Sequence, residues 1–389
     1  MSGDALSPAE EEIAAARDYW GQIFARSADH PMATLVPRDA VLEGAADRAK
    51  ALLAERGVAA EEIDDLADRF AADLAGAPIT SPGVDPHAEV ILGSLCDRIE
   101  TAIAGVSKDQ VRVARGIEPK VGAFAARLGV MMTDASVITV GSQLFRFCNV
   151  VGKAMARTIM IDPKAWDTIE DPVALRQVLQ SQPDIVRYWV DILLSYALTG
   201  TNIMVERAVL SGGDAALKDS IVDAMEIFAV AHEYSHHLQR HGRLLEASSE
   251  AGADRPARGE EFEADSIAIM IGQMVTGFSP AENLVMISGA GMAILLSALD
   301  LLAKTRAILA LDDLRARNTH PTPQDRLAMI DRQPHLWGAD AVSLSRYRAT
   351  YVRILGAISD EVFPFIEHLA STDEFRAAAA WSRKQFGRH

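Results

Sequence analysis

The chain has 389 residues, close to half of them apolar, enough for one large or two ordinary domains with a sizeable core, so a disordered or fibrous chain is excluded. Its 54 acidic and 38 basic side chains give a formal charge of −16, and no Lys/Arg stripe offsets it, which argues against a nucleic-acid partner. Abundant Ala and Leu, few aromatics and only short β-branched runs favour helices.

In chain order, the first hundred residues read as amphipathic helices. One is expected from Pro8 to about Ser27, with Ser7 as N-cap and Pro8 at the first helical position. A second covers Arg38 to Arg56 and stops at Gly57. A third runs from Glu61 to about Leu74, and the three prolines between Gly76 and Pro86 mark a loop. Another helix, about His87 to Ile103, follows. The single clear strand is Ser136 to Gly141, β-branched and partly alternating. Helices are expected again over Leu144 to Met155 and from Ile185 to about Leu210, with Gly200 a possible break. Gly212, Gly213 and Asp214 then separate that segment from the next.

That next segment carries the chemistry. From Asp219 to His241 there is no Gly or Pro, apolar Ile221, Met225, Phe228 and Ala231 recur at helical spacing, and Gly242 supplies a stop. On such a helix His232 and His236 lie one turn apart on one face, about 6 Å along the axis, within reach of a common metal ion. Glu233, rotated by about 100°, flanks that ion as a candidate general base. This is the H-E-x-x-H pattern of zinc hydrolases. His237 and His241 lack the ligand phase and read as a solvated face or as residues behind the ligands, and Tyr234 as a packing residue within reach of an oxyanion.

A third ligand is needed. Twenty-four residues separate His236 from Glu261-Phe-Glu-Ala-Asp265, at the start of an apolar segment. Glu261 is the expected third ligand, with Glu260 and Glu263 as competitors, and Asp265 is placed to hold the second ring nitrogen of a ligand histidine. Two imidazoles and a carboxylate suit one Zn2+ per chain. The stretch from Leu244 to Gly259 reads as a connector, with a lid over the site as the alternative.

These motifs resemble the gluzincin-type zinc peptidases of the CAAX prenyl protease and heat-shock HtpX family, which pair H-E-x-x-H with a later E-x-x-A-D. Thr319-His320-Pro-Thr-Pro-Gln-Asp-Arg326-Leu is similar to a further segment of that family, and Ser136 to Leu144 to the strand edging its cleft. The resemblance implies a zinc metallopeptidase in which His320 steadies the oxyanion and Arg326 braces the site. The helix motif alone is also similar to the phage-exclusion Lit peptidases.

The fold expected is mainly α (α+β), a zincin-like domain over residues 121–389 with a small sheet over the metal helix, preceded by an N-terminal helical region over 1–120. A protein or peptide substrate is expected to lie extended along Val137 to Val140 as an added strand. Two uncharged stretches, Ser266 to Ala281 and Asn283 to Leu299, are shorter than the roughly 20 residues of a membrane span and read as core helices. The N-terminus lacks a signal-peptide pattern, and Cys96 and Cys148 lack any disulfide or CxxC spacing, so a cytoplasmic enzyme without a membrane partner is expected. The alternatives are an idle, zinc-stabilised regulatory or binding protein and a narrowly targeted toxin or defence protease restrained by its N-terminal helices. An intact Glu233 argues against the idle site.

Overall fold

A computed structural model of the chain describes residues 7–26, 38–80, 85–107, 111–118, 126–130, 134–163, 171–210, 212–239, 254–311, 321–333 and 336–386. The protein is mainly α, with a three-stranded sheet.

Helix α1 (Pro8–Arg26) begins at Ser7, whose Oγ accepts from the Glu10 N–H while a Glu10 carboxylate oxygen accepts from the Ser7 N–H at 2.7 Å. The single helix expected over Arg38 to Arg56 is two, α2 (Arg38–Leu42) and α3 (Ala45–Glu55), because Gly44 takes a left-handed φ of 64°. Helices α4 (Ala60–Gly76) and α5 (Pro86–Ser107) follow.

The sheet consists of β1 (Val113–Glu118), β2 (Ala126–Val130) and β3 (Ser136–Gly141) in the order β1-β3-β2. β1 runs parallel to β3, with Val113 opposite Ser136, and β2 runs antiparallel to it, with Ala126 opposite Val140. The strand expected at the cleft edge is therefore the central one. Both its edges are paired and all six of its residues are buried, so no peptide can add along Val137 to Val140. Its β-branched composition reflects burial on both faces, not an edge. The boundary expected near residue 120 falls between β1 and β2 of this one sheet.

β3 passes directly into α6 (Ser142–Ile159). After α7 (Pro172–Gln180) comes α8 (Pro183–Thr199), which Gly200 ends with a left-handed φ of 67°, ten residues short of the expected Leu210. Helix α9 (Gly212–Gln239) takes in the Gly-Gly-Asp expected to precede it. Helix α10 (Asp254–Val275) starts seven residues before Glu261, so the last part of the expected connector is helical. Pro256 falls in the first turn, where a missing N–H breaks no intrahelical bond. Helices α11 (Pro280–Ile287), α12 (Ala290–Ile308), α13 (Pro323–Asp331), α14 (Ala341–Ala370) and α15 (Asp373–Phe386) complete the chain.

Helix α9 lies at the centre, packed by α6, α10 and α12. One apolar core runs from Ala88 on α5 to Ala379 on α15 and includes Ile138 and Val140 of β3. On the other face of the sheet Val137 joins Ala114, Ala135 and Ala16 of α1 in a small separate cluster. The two uncharged stretches belong to α10, α11 and α12 and supply core residues such as Ile271, Ile294 and Leu295. No single helix among the described residues is long and apolar enough to cross a membrane, and the bent pair α11–α12 passes that test only when joined across a 43° break.

Candidate metal centre

Helix α9 carries polar residues into the core. His232 and Glu233 are each 8 % exposed, after the apolar turn Phe228 to Ala231. Isolated polar groups in such a place carry a desolvation penalty unless something compensates them, and the compensation comes from two other helices.

The first is α10, which brings Glu261 between the two histidines. His232 Nε2 and His236 Nε2 are 3.1 Å apart, His232 Nε2 lies 3.5 Å from Glu261 Oε2, and His236 Nε2 lies 3.7 Å from Glu261 Oε1. A tetrahedral zinc with ligand bonds of about 2.0–2.1 Å has ligand atoms about 3.3 Å from one another. The two imidazoles meet different oxygens of Glu261, and one donor atom from each of the three side chains lies within 4.8 Å of the other two, the convergence a shared ion requires. Among the described residues this is the one cluster of His, Cys, Asp or Glu that could hold a metal. The two competing carboxylates fall away, since Glu260 is only half-buried and Glu263 points to solvent.

One turn after Glu261, Asp265 is fully buried, and His232 Nδ1 donates to its Oδ1 at 3.0 Å. That bond fixes the tautomer and leaves the Nε2 lone pair for a cation. The second supporting helix is α13, whose N-terminus is closed by a Thr322–Asp325 capping box. From it Arg326 grips Asp265 with both arms, Nε donating to Oδ2 at 2.7 Å and Nη2 donating to Oδ1. Arg326 Nη1 also approaches Glu261 Oε2 at 3.8 Å.

The electrostatics follow. Burial opposes charge on His232, but its hydrogen bonds to Asp265 and Glu261 outweigh it and raise its pKa to about 9 in the absence of metal. Burial likewise opposes the Asp265 charge, and the hydrogen bonds from Arg326 and His232 reverse that and hold its carboxyl below the usual range. Glu233 is close enough to Arg326 to help hold the guanidinium charge. A cation between the ligands would take the place of the His232 proton.

The structure thus brings together His232, Glu233, His236, Glu261, Asp265 and Arg326. His320 and His241 lie outside the described residues. Tyr234 faces away from the metal position, its hydroxyl donating to Glu100 Oε1 of α5 at 2.5 Å. His237 is not a solvated face. It is 7 % exposed, with Nδ1 2.8 Å from Ser136 Oγ and Nε2 accepting from the Arg112 N–H at 3.3 Å. Its position could not be read from helical phase, because its partners come from strand β3 and the entry to β1. Cys96 and Cys148 are both free and buried, and burial pushes the Cys96 thiol up to about 11. The chain matches no protein-family model, no curated protein and no solved structure.

Proposed function

We propose that this protein is a zinc-dependent metallopeptidase with a zincin-like site. The observation that carries the reading is the convergence of His232, His236 and Glu261, one donor atom of each within 4.8 Å of the others, beside a further buried carboxylate at Glu233. A donor set of two imidazoles and one carboxylate suits zinc and leaves a fourth tetrahedral position for water or substrate. When bound there, zinc supplies Lewis acidity, polarising a carbonyl and bringing the pKa of water near 7.

The residues of the chain supply the rest. Glu233 takes the proton of the attacking water and returns it to the leaving amine. Asp265 orients the His232 ring, and Arg326 keeps Asp265 ionised. An extended substrate has one strand to add to beside the metal helix. That strand is β2, which packs on α9 and pairs on one side with β3; among the described residues its other edge carries no strand.

Glu233→Gln tests the assignment. The variant is expected to keep its zinc and lose peptide hydrolysis by at least about 100-fold, as removal of a general base does. Loss of zinc or of the fold in that variant would show that Glu233 holds the site together and does not act on water.

A further inference from the structure

His237 follows directly after the ligand His236, yet it faces the sheet. The Arg112 backbone N–H can only donate, so the His237 Nε2 it meets at 3.3 Å carries a lone pair. The proton of a neutral ring then sits on Nδ1 and is donated to Ser136 Oγ at 2.8 Å. Ser136 N–H in turn donates to Arg112 O at 2.9 Å, so one imidazole closes a ring of bonds across the paired starts of β1 and β3. Outside that ring the Arg112 guanidinium donates to Glu12 of α1 at 2.5 Å.

We infer that His237 is a positioning residue that fixes the roll of α9 against the sheet and thereby sets where His236 meets the metal; this rests on the zinc reading above. The physical argument is one of lever arms. An imidazole Nε2 stands roughly 6 Å from its helix axis, so a helix roll of about 10° moves it by on the order of 1 Å. Metal sites hold ligand distances within about 0.2 Å. Apolar packing does not set a roll that closely, because dispersion is shallow and non-directional. Two directional hydrogen bonds one residue from the ligand do. Other polar ties of α9 run to neighbouring helices: Tyr234 bonds Glu100 and Asp223 pairs with both arms of Arg98 on α5, His232 bonds Asp265 of α10, and Asn283 Nδ2 of α11 donates to Ser220 O. His237 ties α9 to the sheet, and β2 of that sheet is where an extended substrate would add.

The test uses the full chain, loaded with Zn2+ and separately with Co2+, whose visible absorption reports ligand geometry. His237→Phe keeps the ring volume and loses both bonds. His237→Gln keeps an acceptor for the Arg112 N–H, and Ser136→Ala removes only the Oγ partner. His237→Phe is expected to weaken zinc binding by about tenfold or more, the scale of effects seen behind metal ligands, and to shift the cobalt spectrum. His237→Gln is expected to recover most of the affinity and the wild-type spectrum, a rescue that a space-filling role would not produce. Ser136→Ala is expected to fall between. Wild-type zinc affinity and cobalt spectrum in folded His237→Phe would overturn the inference while leaving the metal site standing. The same result in Ser136→Ala would overturn it if the Phe variant does not fold. A wild-type protein that binds neither ion would instead overturn the zinc reading, and this inference with it.

Discussion

Asp265 is the residue on which the candidate site turns, because it meets both His232 and Arg326 and is fully buried. Asp265→Asn keeps the shape and removes the charge. The Arg326 guanidinium would then lose its closest counter-ion, at a cost of up to about 3–5 kcal/mol, and the one amide oxygen left would have to serve both Arg326 and the His232 ring. The variant is expected to melt well below wild type in the metal-free state and to bind zinc about 10–100-fold more weakly, by calorimetry and chelator competition. Glu226, on the same helix, makes a separate prediction. Its burial, and after that the nearby Asp223, raise its pKa from 4.5 to about 8, against the opposing pull of Lys218 and Arg98. Between those two values the folded state holds a proton that the unfolded state has released, so this group makes stability fall as pH rises. Glu226→Gln removes that slope. Its melting temperature is expected to match wild type near pH 4.5 and to exceed it by a margin that grows up to about pH 8. A constant difference across that range would place the ionisation elsewhere.

Helix α9 is held by close crossings as well as by its polar ties. A Cβ added at Gly291 of α12 would lie 2.6 Å from the Ala224 backbone, and one at Gly152 of α6 would lie 2.5 Å from a Val222 methyl. Backbone cannot step aside as a side chain can, so Gly291→Ala is expected to cost about 1–3 kcal/mol and more than Gly152→Ala, as chemical denaturation would measure. The course of α9 was legible because the stretch from Asp219 onward has no helix breaker and carries apolar residues at helical spacing, and His232 and His236 stood out as candidate ligands by their spacing, while Glu261 had Glu260 and Glu263 beside it as competitors. Strands β1 and β2 were not, since Val-Ala-Arg-Gly-Ile-Glu and Ala-Arg-Leu-Gly-Val lack strand composition and are strands because β3 pairs with them. The resemblance made β3 an edge, and without β1 and β2 nothing in the sequence corrected it. Missing those strands also hid the role of His237, whose partners lie on that sheet and its approach. Arg326 entered only through a family resemblance, since nothing local in its helix marks a residue that reaches Asp265 from 61 positions away.

At the scale of the whole molecule, the N-terminal region is built onto the sheet and α9. Helix α5 ties to α9 through Arg98 and Glu100, and α1 covers the outer face of the sheet with Ile13, Ala16 and Trp20. Removal of residues 1–26 would uncover Ala114, Ala135 and Val137 and release Arg112 from Glu12. The truncated protein is expected to lose solubility and thermal stability, as light scattering and melting curves would show, and not to gain activity as a simple release of restraint would predict. The central claim is the three-ligand zinc site, and metal content by elemental analysis tests it most directly, on the wild-type chain purified without chelators and on Glu261→Ala. One zinc per chain in the wild type, lost or sharply reduced in the variant, is the result the proposed site predicts. A folded wild-type chain without zinc, or a variant that keeps its full complement, would contradict it.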